Sequence, residues 1–181
     1  MLNYFEILGT PASFTLDVKA LEKAYFNAQM AAHPDRQIGK SEAERIVAIE
    51  RSMSANEAYE TLKNPMTRAE HLLALSGVRV NSDNDTVKPS QALLMEIMEL
   101  REQIEESRAD GKKLLALVAD IRLAADQCCD DLAEAFAAGD LHHAAERTIK
   151  LHYLGKAVEE AHLYLYRVKA EHHDAHSHES H

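Results

Sequence analysis

His33-Pro34-Asp35, followed downstream by Asn56-Glu57-Ala58-Tyr59-Glu60-Thr61-Leu62, is the stretch whose reading decides the fold. Pro34 fixes its own φ and disfavours helical geometry at His33, so a helix arriving from the amino-terminal side must stop there. Such a helix is predicted: Asp17 is a good N-cap, and Leu21, Ala24, Tyr25 and Ala28 recur at helical spacing up to about Ala32. On the other side, Ser41 with Glu44 matches a capping box, and Ile46, Ile49, Met53 and Leu62 continue a helix closed by Asn64-Pro65. The two helices and the loop from His33 to about Lys40 predict a hairpin whose tip presents the tripeptide.

Outward from the hairpin, Tyr4-Phe5-Ile7-Leu8 reads as one brief helix stopped at Gly9, and Met66 to Leu75 as a short helix ending at Ser76-Gly77. From Val78 to Pro89 periodicity vanishes around the polar run Asn81-Ser82-Asp83-Asn84-Asp85, which places a linker over 77–89. Three long helical patterns follow, roughly Ser90 to Ala109, Lys112 to Ala138 and Leu141 to Ala170. Asp110-Gly111 and Gly139-Asp140 are short turns, so neighbouring helices run antiparallel. Leu114, Val118, Ile121, Ala125, Cys128 and Leu132 form one apolar seam, and Leu151, Leu154, Val158, Ala161, Leu165 and Val168 form another. The expected architecture is all-α: a first unit over 1–76, a three-helix antiparallel bundle over 90–170 and a His-rich disordered tail over 171–181.

Composition agrees with helices throughout. The 181 residues are 46% hydrophobic and include only 6 Gly and 4 Pro. A net charge of -10 repels polyphosphate and argues against nucleic acid as a partner. The charge is uneven, with 8 basic and 10 acidic side chains up to Leu75 against 12 and 20 beyond it, so a local basic patch fits only the first unit. Cys128 and Cys129 are adjacent and cannot form an ordinary disulfide or a complete zinc site, which fits a reducing compartment. No signal segment or membrane-length apolar run is read, and the helical pattern begins almost at Met1. The expected location is cytoplasmic, with no membrane partner.

The His-Pro-Asp loop makes a poor catalytic triple, because Pro34 has no acid-base chemistry and no nucleophile stands in register with His33 and Asp35. As a recognition loop it is well built: the proline stiffens the backbone that offers the Asp35 carboxylate to a partner's arginine. From Asn3 to about Leu75 the chain resembles a J-domain, through Tyr4-Phe5-Glu6-Ile7-Leu8-Gly9, the helix with Tyr25, the tripeptide, Asn56 to Leu62, and Pro65-Met66-Thr67-Arg68-Ala69. That resemblance implies docking to an Hsp70 and stimulation of its ATPase, hence a co-chaperone and not an enzyme. It implies His33, Pro34 and Asp35 as the essential signal, Lys19, Lys23, Arg36 and Lys40 as basic contacts, and Tyr59 and Leu62 as residues that hold the hairpin. The second helix departs from the densely basic family pattern at Glu22, Phe26, Asn27, Ala31 and Ala32, which points to a specialised Hsp70.

In the second unit, Leu93, Ile97, Leu100 and Ile104 supply a core stripe, and Leu94, Met95 and Met98 leave apolar area beside it, flanked by Glu99, Arg101 and Glu102. Tyr153 falls off its own helix's seam and can join the same patch. Two readings stand at this point: a wider core stripe, or a binding face. The layout to about Ala170, including Arg68 to Leu73, Leu93 to Glu102 and Lys150-Leu151-His152-Tyr153-Leu154, resembles the HscB family of iron-sulfur co-chaperones. The resemblance implies that Leu94, Met95, Met98, Glu99, Glu102 and Tyr153 contact the iron-sulfur scaffold protein IscU, and that the Hsp70 is HscA. The alternative is a J-protein for another client that uses the bundle to dimerise. No metal, cofactor or catalytic residue is expected. The tail histidines, His172, His173, His176, His178 and His181, read as a solvated, adventitious metal binder.

Overall fold

In the computed structural model, which describes the backbone of residues 1–178 and the side chains of 1–170, every regular element is helical. Local chemistry sets most of the boundaries. The Asn3 side chain accepts from the Phe5 and Glu6 amides to start α1, Tyr4–Leu8, and Gly9 closes it in the left-handed region at φ 64°. Asp17 caps α2, Val18–Ala31. Both halves of the Ser41/Glu44 capping box are formed at the start of α3, Glu42–Lys63. Asn64 ends α3 and caps α4, Pro65–Leu75, with the proline in its first turn, where an amide donor would be unused anyway.

The hairpin of α2 and α3 closes on Phe5, Leu8, Leu21, Ala55, Ala58 and Leu62, all buried. Small side chains at 55 and 58 leave room for α1 to lie against α3. Polar and aromatic contacts hold the helices in register. Tyr25 stacks on Tyr59 with centroids 4.3 Å apart, its hydroxyl donates to Asn56 at 2.6 Å, and the Ser52 hydroxyl donates to Gln29 at 2.7 Å. An aromatic pair of this kind adds about 0.5–1.5 kcal/mol to its area burial, which fixes the tip relative to the base.

The second half consists of α5, Gln91–Glu106, α6, Gly111–Ala138, and α7, Leu141–His178. Asp110 caps α6, and Gly139 ends it at φ 71°. The Lys150–Glu96 ion pair at 2.8 Å and the Tyr164–Glu105 hydrogen bond at 2.6 Å ascend both helices together, so α5 and α7 run parallel with α6 antiparallel between turns. Leu114, Val118, Ile121, Cys128 and Leu132 are buried on α6 as the seam predicts. On α7 the buried set among the described side chains is Ala144, Ala145, Thr148, Ile149, Leu154, Ala157, Ala161 and Leu165, and Leu151 and Val158 are only half-buried.

Two expectations need correction. Helix α7 continues past Ala170 to His178, where a disordered tail was expected; no Gly or Pro falls between Lys156 and His178 to interrupt the backbone ladder. The last three positions of that tail, 179–181, lie outside the described residues. The stretch 77–89 is not a free linker. Val80 is buried, Val78 and Val87 pack beside it, and the Arg79–Thr86 backbone pair at 2.9 Å pinches the loop. Asn81 reaches back to Glu70 at 2.8 Å.

The loop is pinned because one core runs through both halves. Phe14, Ala69 and Leu73 join Leu93, Leu132, Ala144, Ala145 and Ile149 in a single buried cluster. Phe14 stacks on Phe136 at 5.5 Å, and Arg68 donates to the Phe14 carbonyl at 3.0 Å while lying over its ring. The bundle therefore grips the base of the first half, and the hairpin tip projects away from it.

Candidate functional site: the His-Pro-Asp loop and the outer face of α5

His33 leaves α2 in extended geometry, at φ −59° and ψ 139°, and residues Pro34–Gln37 form a 3-10 turn. The His33 Nδ1 accepts from the Asp35 amide at 3.2 Å, and its carbonyl accepts from the Arg36 amide at 2.9 Å. Gln37 is turned inward, donating through Nε2 to the Ala31 carbonyl at 3.2 Å. With Gln37 as the inward anchor, the turn must aim Asp35 outward, and its side chain is 85% exposed. A carboxylate held this way can take a guanidinium or ammonium group from a partner.

The structure gathers only part of the expected basic set around this loop. Arg36 sits in the turn with His33 and Asp35. Lys19 and Lys23 lie roughly 15–20 Å back along α2, given the rise of a helix. Lys40 lies past the turn, lining a cleft between α2 and α3 with Ala28, Gln37, Glu44 and Arg51. The outward face of α2 at helical spacing reads Lys19, Lys23, Phe26 and Met30, all exposed, so it is basic at one end and apolar at the end nearer the loop.

On α5, Leu93 and Ile104 point into the core, and Leu94, Met95 and Met98 are 42%, 56% and 69% exposed. Glu99 and Glu102 are exposed on the same outward side. Tyr153, 36% exposed, stands on α7 across a groove of about 290 Å³ from Ile97, Leu100 and Arg101. Leu94, Met98 and Arg101 share one helical face, so Tyr153 meets this surface at its Arg101 edge. Met95, Glu99 and Glu102 continue round the helix, farther from Tyr153.

Three supporting residues were given no structural role by the sequence reading, although Arg68 and His71 stand in the stretches that carried its family resemblance. Gln37 orients the loop. Arg68 is buried between the halves, with its Nε lacking a partner in the structure. His71 accepts from the Tyr4 amide through Nε2 at 3.0 Å and stacks on the Tyr4 ring at 4.5 Å; burial holds its imidazole below the ordinary histidine range. Arg68 and His71 occur in sequence as polar positions on the inner side of α4 and within the family-like stretch Arg68 to Leu73, and those were their available signals. Cys128 donates to the Arg147 carbonyl at 3.1 Å, and burial pushes its thiol up to about 11; the Cys129 thiol is also raised by burial. Among the described residues no group of three or more His, Cys, Asp or Glu side chains is placed to hold a metal, and the tail histidines' side chains lie outside the described residues.

A tethered helical hairpin that offers His-Pro-Asp at its tip, on a second helical unit, defines a J-domain co-chaperone, and residues 3–71 match the family model of the DnaJ domain. Residues 89–162 match the HSCB C-terminal oligomerisation domain. The chain belongs to the HscB co-chaperone family. It is 41% identical to the co-chaperone protein HscB homolog of Vibrio cholerae over 65% of this chain and 68% of that one. It is 32% identical to the homolog of Shewanella baltica over 88% and 94%. Among solved structures, chaperone HscB from Vibrio cholerae superposes with a TM-score of 0.77 at 31% identity, covering 92% of this chain and 99% of that chain. Human co-chaperone HscB superposes with a TM-score of 0.80 at 26% identity, covering 90% and 82%. This is a family of co-chaperones, not of enzymes. Among the described residues no helix is long and apolar enough to cross a membrane.

Proposed function

We propose that the chain binds an iron-sulfur scaffold protein of the IscU kind, delivers it to an HscA-like Hsp70 in the cytoplasm and stimulates that Hsp70's ATPase. The observation that carries the reading is the outer face of α5, where Leu94, Met95 and Met98 remain exposed although the same helix already buries Leu93 and Ile104 and packs Ile97 and Leu100 half-buried against the core. A helix that already packs one side on the core and still exposes a second apolar side offers that side to a partner, and methionines flanked by carboxylates suit contacts that must form and release. In the Hsp70 half, Asp35 is the pairing group, His33 and Pro34 hold its turn, and Lys19, Lys23 and Arg36 add charge, with Lys40 a further contact at the cleft between α2 and α3.

The test is a pull-down of the IscU-like scaffold by the chain and by its Leu94→Ala, Met98→Ala, Tyr153→Ala variant. Retained capture with the wild type and loss with the variant is expected; equal capture by both removes the patch from the interface. The description of the matched carboxy-terminal family as an oligomerisation domain keeps a second reading in view, a J-protein whose bundle dimerises and serves another client. A sedimenting dimer that ignores the scaffold would favour it.

A further inference from the structure

The bundle keeps a second exposed face, on the side away from α5. Leu115, Ala119, Arg122 and Asp126 share one side of α6, and Gly155, Glu159 and Tyr166 share one side of α7; all are exposed. Ala124, Tyr153 and Tyr164, which face α5, lie roughly half a helical turn round from these files. Because α6 and α7 are antiparallel, with Gly111 packed beside Val168, Leu115 and Tyr166 stand at one end of the face and Asp126 and Gly155 at the other. Leu115 and Tyr166 are 59% and 76% exposed, and Leu123 and Leu163 stand exposed at its edges. Apart from the α5 patch and Tyr153, these four are the exposed large apolar side chains of the bundle among the described residues. Gly155 is out of place by the standards of its own helix. Glycine inside a helix is destabilising relative to alanine, and a Cβ at this position would meet nothing within 4 Å, so no contact within the chain requires it.

We propose that a second copy of this chain covers this face, turned end for end about a two-fold axis. The charges point to a copy in preference to another partner. Lys112, three residues before Leu115, stands at the apolar end, Asp126 at the far end, and Arg122 and Glu159 midway. Among the described residues none of Lys112, Arg122 and Asp126 is in an ion pair, and Glu159 has only the exposed Lys156 at 3.5 Å. Turning the copy end for end sets Lys112 against the copy's Asp126 and Arg122 against the copy's Glu159, and the two-fold axis repeats each pair. A partner of one sign of charge would satisfy only half of these groups. The same turn lays Leu115 over the copy's Gly155, where the missing side chain admits it. The face runs roughly 20 Å along two helices, on the order of 400 Å² against about 800 Å² for a standard partner, so the dimer is weak and forms at high concentration. The α5 patch and the Asp35 tip lie outside it. The inference needs neither the Hsp70 nor the scaffold reading, and it departs from the second reading above in leaving the α5 face open while the chain is dimeric.

The experiment is sedimentation equilibrium of the full chain from about 1 µM to about 1 mM. A monomer–dimer equilibrium is expected, weakened at least about tenfold by Leu115→Asp with Tyr166→Asp. Melting of that variant by circular dichroism should match the wild type, because both side chains face solvent. Charge reversal reads the pairing itself and does not depend on that variant folding. Arg122→Glu alone and Glu159→Arg alone should each weaken the dimer about tenfold, and the two together should restore it. Gly155→Gln should melt higher than the wild type and dimerise less. A monomer across the whole range overturns the proposal, as does a dimer that the apolar pair and both charge reversals leave intact. A dimer broken by the Leu94→Ala, Met98→Ala, Tyr153→Ala variant places the interface on α5 and overturns it too. Failure of the scaffold reading is distinguishable, since it shows as an uncaptured scaffold while the dimer persists.

Discussion

His71 shows how a single side chain can govern the first half of the molecule. Its Nε2 must be unprotonated to accept the Tyr4 amide, and burial among Tyr4 and Phe5 holds its pKa below that of the unfolded chain. The unfolded chain therefore takes up a proton more readily as the pH drops, so this contribution to stability is complete above about 6.5 and is lost as pH falls through the folded value. Urea melts at about pH 7.5 and 5.5 should show a larger acid loss for the wild type than for His71→Phe; equal losses would remove His71 as the cause. Cys128 makes a second residue-scale prediction. With its pKa at about 11, only roughly one thiol in a thousand is ionised at pH 8, so the native protein should resist a disulfide reagent at this site until unfolded. Its burial was legible because it falls on the α6 seam. The roles of His71 and Gln37 were not, because Tyr4 and His71 meet only when α1 folds back across α4, and Gln37 becomes an anchor only once the tip closes.

At the scale of elements, boundaries set by local chemistry were legible and those set by distant packing were not. Asn3, Asp17, Ser41, Asn64 and Asp110 each accept from amides in the turn they start, an interaction carried within three residues of sequence. Gly9 and Gly139 mark ends that need left-handed geometry. The loop over 77–89 gave no such signal, because Val78, Val80 and Val87 follow no helical or strand period and acquire meaning only against Leu73 and Leu93. The α5 patch was half legible: its apolar excess can be counted and Tyr153 falls off its own seam, but that Tyr153 meets the patch only at its Arg101 edge depends on how α5 and α7 pack. The α3 capping box is open to direct test. Ser41→Ala should cost about 1 kcal/mol and fray the turn beside Ile46, seen as faster hydrogen exchange at the Glu44 and Arg45 amides; unchanged exchange would show that the cap does not hold that turn.

At the scale of the whole molecule, the cluster shared by Phe14, Leu73, Val80, Leu132 and Ile149 makes the base of the J-domain part of the bundle's own core. Phe14 lies in the irregular segment Ser13-Phe14-Thr15, so no periodicity could reveal it. The two halves should unfold together, and Phe14→Ala should lower the stability of both by about 3–5 kcal/mol in one transition; two separated melts would mean that the cluster does not couple them. A rigid base suits an adaptor, because the proposed scaffold-binding face and the proposed Hsp70-binding tip then keep a fixed separation. The measurement that tests this account most directly is ATP hydrolysis by the HscA-like Hsp70, with the IscU-like scaffold present, in the presence of wild type or Asp35→Asn. The account predicts strong stimulation by the wild type and none by the variant, with scaffold capture unchanged; stimulation by Asp35→Asn equal to the wild type would contradict it.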